Sequence, residues 1–199
     1  LWLSILPMVL IFKTLRLSEM ARLQDALWTF SAVGLEWSLP AWGILLGPLA
    51  AVIFLIAAFA ETNRLPFDLA ECEAELVGGF HTEYTGLKFA MFFMGEYVAM
   101  ITMSALMVTM FLGGWSLPWV EIPTTPSIGD IALSVGIFLS KLVVLLFFYI
   151  WVRWTLPRFR YDQLMAIGWK VFIPLSLLNL GLTALSGVLG WNWLIPLPW

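Results

Sequence analysis

IGDIALSVGIFLSKLVVLLFFYIWV, Ile128–Val152, runs for 25 residues with two charges, Asp130 and Lys141. About 20 mostly apolar residues suffice to cross a bilayer as a helix, since each adds about 1.5 Å across a hydrocarbon core about 30 Å thick. The run is continuous rather than alternating, which indicates a helix and not a barrel strand. The rest of the chain has the same character: 199 residues, 61% hydrophobic, 12% charged, mean hydropathy +0.93. Soluble domains are about 45–50% apolar and about 25% charged. The fold class is therefore all-α: a polytopic transmembrane helical bundle of about five spans, residues 1–199 forming a single transmembrane domain.

Working outward, Phe89–Leu112 is the preceding span and carries Glu96; Leu164–Leu189 is the following one, interrupted by Pro174 and carrying Lys170 and Asn179. Leu39–Ala60 is another, with Pro40 in its first turn and Pro48 kinking its interior. Leu1–Phe12 is too short to cross and is expected to be the end of a helix whose earlier part lies outside this chain. Lys13–Ser38 reads as a polar surface connection, with Leu17, Met20, Leu23 and Leu27 at the spacing of a short interfacial helix. Gly113-Gly114 and the proline-rich stretch to Pro126 form the connection before Ile128. Nine of the tryptophans, Trp37, Trp42, Trp115, Trp119, Trp151, Trp154, Trp169, Trp191 and Trp193, fall near span ends as an interfacial belt. The loops at 61–88 and 153–162 hold Arg64, Lys88, Arg153, Arg158 and Arg160, against Lys13, Arg16 and Arg22 on the other side, so the positive-inside rule puts them on the cytoplasmic or matrix face.

The acidic loop ETNRLPFDLAECEAELVGGFHTEY, Glu61–Tyr84, holds six of the thirteen acidic residues together with the sole His and Cys. Pro66 turns Leu65 away from helix, Asp68 then caps a short interfacial or re-entrant helix with Glu71 three residues on, and Gly78-Gly79 ends it. Asp68, Glu71 and Glu75 share one face and Glu73 points nearly opposite. Crowded carboxylates cannot all ionise without cost, so Glu71, Glu73, Glu75 and Glu83 can hold and pass protons, unless the run is simply a solvated face. Glu96, about 10 Å into its span, and Lys141, near the middle of its own, are costly in a bilayer and should face the bundle interior, as a proton relay or as a structural pair. His81, Tyr84 and Tyr161 could meet a ligand carbonyl or serve only in packing; Cys72, between Glu71 and Glu73, is an unreactive thiol. The basic loop Arg158–Asp162 either anchors the face or pairs with the acidic loop, Arg160 being the expected partner.

Net charge is −3 and there is no basic arm, so nucleic acid is not a partner; lipid is. One Cys excludes an internal disulfide, and without C-x-x-C or a second His this chain alone holds neither an iron–sulfur cluster nor a bis-His haem and binds no metal.

ETNRLPFDLAECEAELVGGFHTEYTGLKFAMFFMGEY and LPRFRYDQLMAIGWK closely resemble the two signatures of the membrane heel subunit of respiratory complex I, the proton-pumping NADH:quinone oxidoreductase; FLGGW (Phe111–Trp115) and IPLSLLNLGLTA (Ile173–Ala184) extend the likeness. The family has about eight transmembrane helices, so the resemblance implies the C-terminal part, with roughly three helices and an acidic segment supplied by a second chain or missing. It also implies an enzyme subunit without cofactors of its own, in the mitochondrial inner membrane or the bacterial plasma membrane. Quinone is the substrate; NADH, FMN and iron–sulfur clusters belong to partner subunits. The partners are peripheral quinone-site and iron–sulfur subunits, small membrane subunits and antiporter-like subunits. By motif position Glu61, Arg64, Pro66, Phe67, Asp68, Phe80 and His81 line the quinone chamber; Glu71, Glu73, Glu75, Glu83, Glu96 and Lys141 form the relay; Arg153, Arg158, Arg160 and Asp162 form the basic loop beside it. Cys72 and Ala74 replace the family's usual Gly or Ala and Ser. The alternatives are the equivalent subunit of a membrane-bound hydrogenase, an ion transporter without a redox partner, whose paired broken helices are not evident here, and a structural scaffold.

Overall fold

A computed structural model describes residues 1–25, 27–32, 35–68, 86–117 and 127–189. In chain order these form α1 (Trp2–Phe12), α2 (Leu17–Leu23), β1 (Leu27–Ala32), β2 (Leu35–Pro40), α3 (Gly43–Leu46), α4 (Pro48–Glu61), α5 (Leu87–Phe111), α6 (Ile128–Thr155), α7 (Tyr161–Ile167) and α8 (Ile173–Val188), the last two joined by a π-helical turn, Gly168–Phe172. The architecture is an all-α membrane bundle. Leu87–Phe111, Ile128–Thr155 and Tyr161–Val188 are each long and apolar enough to cross a membrane; Trp2–Phe12 and Pro48–Glu61 are shorter apolar helices. These five segments stand where five spans are expected.

Prolines and caps set the boundaries. Pro48 does not kink a continuous span: the backbone breaks at Gly47 (φ −137°, ψ 68°) and Pro48 opens α4, where its missing N–H costs nothing. Pro40 ends β2 and is not in a helix's first turn. β1 and β2 make an antiparallel hairpin with Leu27 opposite Pro40 and Ala32 opposite Leu35, inside what the sequence presents as a plain polar connection. The expected short helix is present as α2, but Met20 and Ala21 on it are buried against the bundle. Ser127 and Asp130 cap α6 reciprocally, the Ser127 N–H donating to Asp130 Oδ2 at 2.8 Å. Pro174 does not interrupt the last span. The preceding turn widens to π geometry, the Ile173 N–H reaching Gly168 O, and the helix continues.

α1 packs on α8 and α4, α4 on α5, and α5 on α6. One apolar core joins Met8 and Phe12 of α1, Met20 of α2, Phe54 of α4 and Met110 and Phe111 of α5. A second gathers Phe59, Phe67, Met100 and Tyr149. The outer faces keep large apolar side chains exposed, Val143, Val144, Phe147 and Trp151 among them; hydrocarbon solvates these without any protein cover.

The two helix ends that meet beside α2 share one buried amide. Gln24 is 1% exposed. Its Nε2 donates to Met20 O (3.1 Å) and Thr109 O (3.0 Å); its Oε1 accepts the N–H groups of Gly43 (3.0 Å) and Gly113 (2.9 Å). All of the side chain's hydrogen-bonding capacity is used, and α2, the start of α3 and the end of α5 are tied at one point. The approach is close: a Cβ on Gly43 would sit 2.3 Å from Met110 O. Gln24→Leu keeps the volume but leaves two buried N–H groups without acceptors, each costing about 1–3 kcal/mol. Thermal unfolding of the purified variant should therefore show a loss of about 3 kcal/mol or more, far beyond the effect of Gln24→Glu under mildly acidic conditions.

Candidate functional site

Where α4 ends, the chain turns tightly. The Thr62 N–H and hydroxyl both donate to Ala58 O, at 3.0 and 2.9 Å. Asn63 takes a left-handed conformation (φ 47°), and the Leu65–Pro66 bond is cis. The Arg64 N–H donates to Phe59 O at 3.3 Å and the Phe67 N–H to Arg64 O at 2.8 Å. This winding turns Arg64, Pro66, Phe67 and Asp68 inward, Asp68 to 2% exposure, and leaves Glu61 outside.

The segment after α6 docks against this turn. The Phe159 N–H donates to Pro66 O at 3.0 Å, and the Phe159 ring stacks on Phe67 with centroids 5.6 Å apart. Arg158 Nη2 lies 3.8 Å from Asp68 Oδ2, the carboxylate almost wholly enclosed. Phe67 belongs to the second core, where Phe59 stacks on Tyr149 at 4.0 Å, so α4, α5 and α6 all hold the seam. The two polar loops are thus joined on one face, as one reading of the sequence has it. Among the described residues the arginine that reaches across is Arg158; Arg160 is exposed and its backbone N–H donates to Gln163 Oε1 at 3.2 Å.

Arg64 is 7% exposed, and its guanidinium lies 4.7 Å from the centre of the Tyr97 ring. The ring face offsets part of the cost of burying the charge. Nε and Nη2 are buried and meet no acceptor among the described residues. Buried donors left this way are rare. The sequence does not single out Tyr97 or Phe159. Their only signal is position, Tyr97 directly after Glu96 and Phe159 between Arg158 and Arg160.

The other expected residues are dispersed. Glu96 is half-buried on α5 beside Tyr97. Arg153 lies in the last turn of α6 and Asp162 in the first turn of α7, both exposed, so the loop proper is only 156–160. Lys141 is about 12 Å along α6 from Tyr149, eight residues at 1.5 Å each, and faces the turn after α5 instead of the seam. Glu71, Cys72, Glu73, Glu75, Phe80, His81, Glu83 and Tyr84, with the interfacial helix expected from Asp68, lie outside the described residues. Among the described residues no three His, Cys, Asp or Glu side chains converge as a metal site requires.

An enclosed carboxylate loses most when its cation alone is removed. Asp68→Asn and Arg158→Gln should each lower thermal stability, while the double variant loses less than the two together. A double-mutant cycle should return a coupling of about 1 kcal/mol.

Comparison with known proteins bears on this seam. A family model described as NADH dehydrogenase matches residues 1–184. The chain is 47% identical over 199 residues to an NADH-quinone oxidoreductase subunit of Bdellovibrio bacteriovorus, covering 92% of this chain and 51% of that one. It is 49% identical to "NADH-quinone oxidoreductase subunit 8" of Rhodothermus marinus, over 75% of this chain and 46% of that one. It is 45% identical to an NADH-quinone oxidoreductase subunit of Thermomicrobium roseum, over 94% and 50%. The chain spans about half the length of the curated relatives it matches. With a match running through nearly all of its own length, this integral membrane protein belongs to the NADH dehydrogenase family, in the company of bacterial NADH-quinone oxidoreductase subunits.

Proposed function

We propose that the chain is a membrane subunit of a proton-translocating NADH:quinone oxidoreductase, that it builds part of the quinone chamber, and that it couples quinone reduction to proton movement. The observation that carries this reading is the seam: Arg64–Asp68 folded inward and docked on Arg158–Phe159, with two buried Arg64 donors presented beside Tyr97. An apolar surround with a few fixed donors suits a quinone, which has two carbonyl acceptors on a hydrophobic body.

In this reading Glu61, Arg64, Pro66, Phe67, Asp68, Phe80 and His81 shape the chamber. Arg64 supplies hydrogen bonds to a carbonyl oxygen; Phe67 and Phe159 form an apolar wall. Asp68 and Arg158 hold the wall closed without taking part in the reaction. Glu71, Glu73, Glu75, Glu83 and Glu96 carry protons away, since neighbouring carboxylates in a poorly hydrated region titrate over a widened pH range. Arg153, Arg160 and Asp162 are exposed, and in this reading they offer charge to peripheral subunits. Flavin, iron–sulfur clusters and NADH oxidation belong to those partners, with small membrane subunits and antiporter-like subunits completing the membrane arm. No step of hydride or electron transfer falls to this chain.

Glu75→Gln and Glu83→Gln test the relay. In sealed vesicles energised with NADH and a quinone, each should lower proton uptake, read with a pH-sensitive dye, while native gels show assembled complex. Unchanged pumping in both variants would remove the relay. Tag purification of the complex with identification of the co-purifying subunits tests the assignment itself: flavin- and iron–sulfur-bearing NADH-oxidising subunits support it, and a hydrogenase subunit or no redox partner overturns it.

A further inference from the structure

The turn after α5 is built from Leu112 to Ser116. Gly113 and Gly114 both take left-handed backbone angles (φ +73° and +55°). The Gly114 N–H folds back to Val108 O at 2.9 Å, and the Ser116 N–H and hydroxyl both donate to Gly113 O, at 3.0 and 2.8 Å. This geometry leaves the carbonyls of Leu112, Gly114 and Ser116 converging on one point. Lys141 Nζ occupies it, donating to Leu112 O at 2.7 Å, Gly114 O at 3.1 Å and Ser116 O at 2.6 Å. The Trp42 ring closes another side, its centroid 5.0 Å from Nζ.

We propose that this turn is a cation-binding nest of three backbone carbonyl oxygens, selective for a primary ammonium group, which Lys141 fills from its own chain. Three features argue for it together. An ammonium has three N–H donors, and all three are matched by carbonyls. The carbonyls lie at the C-terminus of α5, where the last C=O groups lack helical partners and the helix dipole favours positive charge. The aromatic face adds attraction for a cation and none for a neutral amine. The turn is also closely packed: a Cβ on Gly113 would lie 2.7 Å from Trp42 Nε1 and one on Gly114 2.9 Å from the Ala21 Cβ.

The nest gives Lys141 a part other than carrying protons. A neutral amine would have two N–H groups for three oxygens and would turn its lone pair toward the third. Passing a proton on would therefore break the contact that holds the end of α5 to the middle of α6. Lys141 is instead a positioning residue, setting the height of α5, and with it Glu96, against α6. The charged group that acts on it from the packed elements is Asp25, just after α2. Partial burial raises the Asp25 carboxyl above its ordinary value, and the Lys141 and Arg22 charges draw it back.

The test is chemical rescue in the full protein purified from its membrane, read as thermal stability, which needs no redox partner. Lys141→Ala empties the nest and should lower Tm by about 5 °C. Ammonium or methylammonium chloride should restore it saturably; tetramethylammonium chloride at equal ionic strength, with no N–H to donate, should not. Lys141→Met fills the channel with an apolar chain and should fall without recovery. Wild-type stability in Lys141→Ala, or recovery that is equal with tetramethylammonium, overturns the proposal. Acetylation of the wild-type protein by acetic anhydride provides a second reading that does not depend on the variants folding. Lys141 should resist modification under conditions that modify the exposed Lys88, and equal rates at both overturn the nest.

Discussion

A helix that stops among apolar surroundings must find partners for the backbone groups it leaves unpaired, because hydrocarbon offers none. Much of this molecule is arranged around that requirement at one place, the end of α5. Gln24 takes the Gly113 N–H and supplies a donor to Thr109 O, and Lys141 takes the carbonyls of Leu112, Gly114 and Ser116. The two side chains come from α2's end and α6's middle, far apart in sequence, so satisfying one helix end fixes three elements together. The same amide accepts the first N–H of α3, that of Gly43.

At the other end of the bundle the organisation is aromatic and ionic. Phe59, Tyr149, Phe67 and Phe159 stack from α4 and α6 out to the two loops. The ion pair of Asp68 and Arg158 joins the same two segments as the Phe67–Phe159 stack, with the carboxylate almost wholly enclosed. The Arg64 guanidinium, a flat, delocalised cation, lies against the Tyr97 ring. One end of the molecule is thus fixed by main-chain satisfaction and the other by side-chain stacking.

Apolar runs reveal the helices because length and hydropathy are local properties, and the Ser127–Asp130 pair marks Ile128 as a start. The two loops can be assigned to one face, but that Arg158 is the residue that meets Asp68 is visible only in the folded chain. Pro48 is legible as a disruption; whether it kinks or restarts a helix depends on the backbone at Gly47, which leaves the helical region there. Pro174 has the opposite fate because a π turn absorbs it. The hairpin of β1 and β2 has no readable signature, and Gln24 looks like any polar residue after a short helix. Lys141 stands out as a charge in a span, but only the fold shows which carbonyls it meets.

The hydrogen bond from the Phe159 N–H to Pro66 O has a consequence for biogenesis. Roughly 90 residues separate its two ends, so a ribosome adding about 5–20 residues per second must work for some 5–20 s after Pro66 emerges before its partner exists. During that interval the inward-facing carboxylate of Asp68 has no Arg158 to meet. Insertion must therefore tolerate a half-built seam, and two complete spans must be threaded before the first polar turn can close.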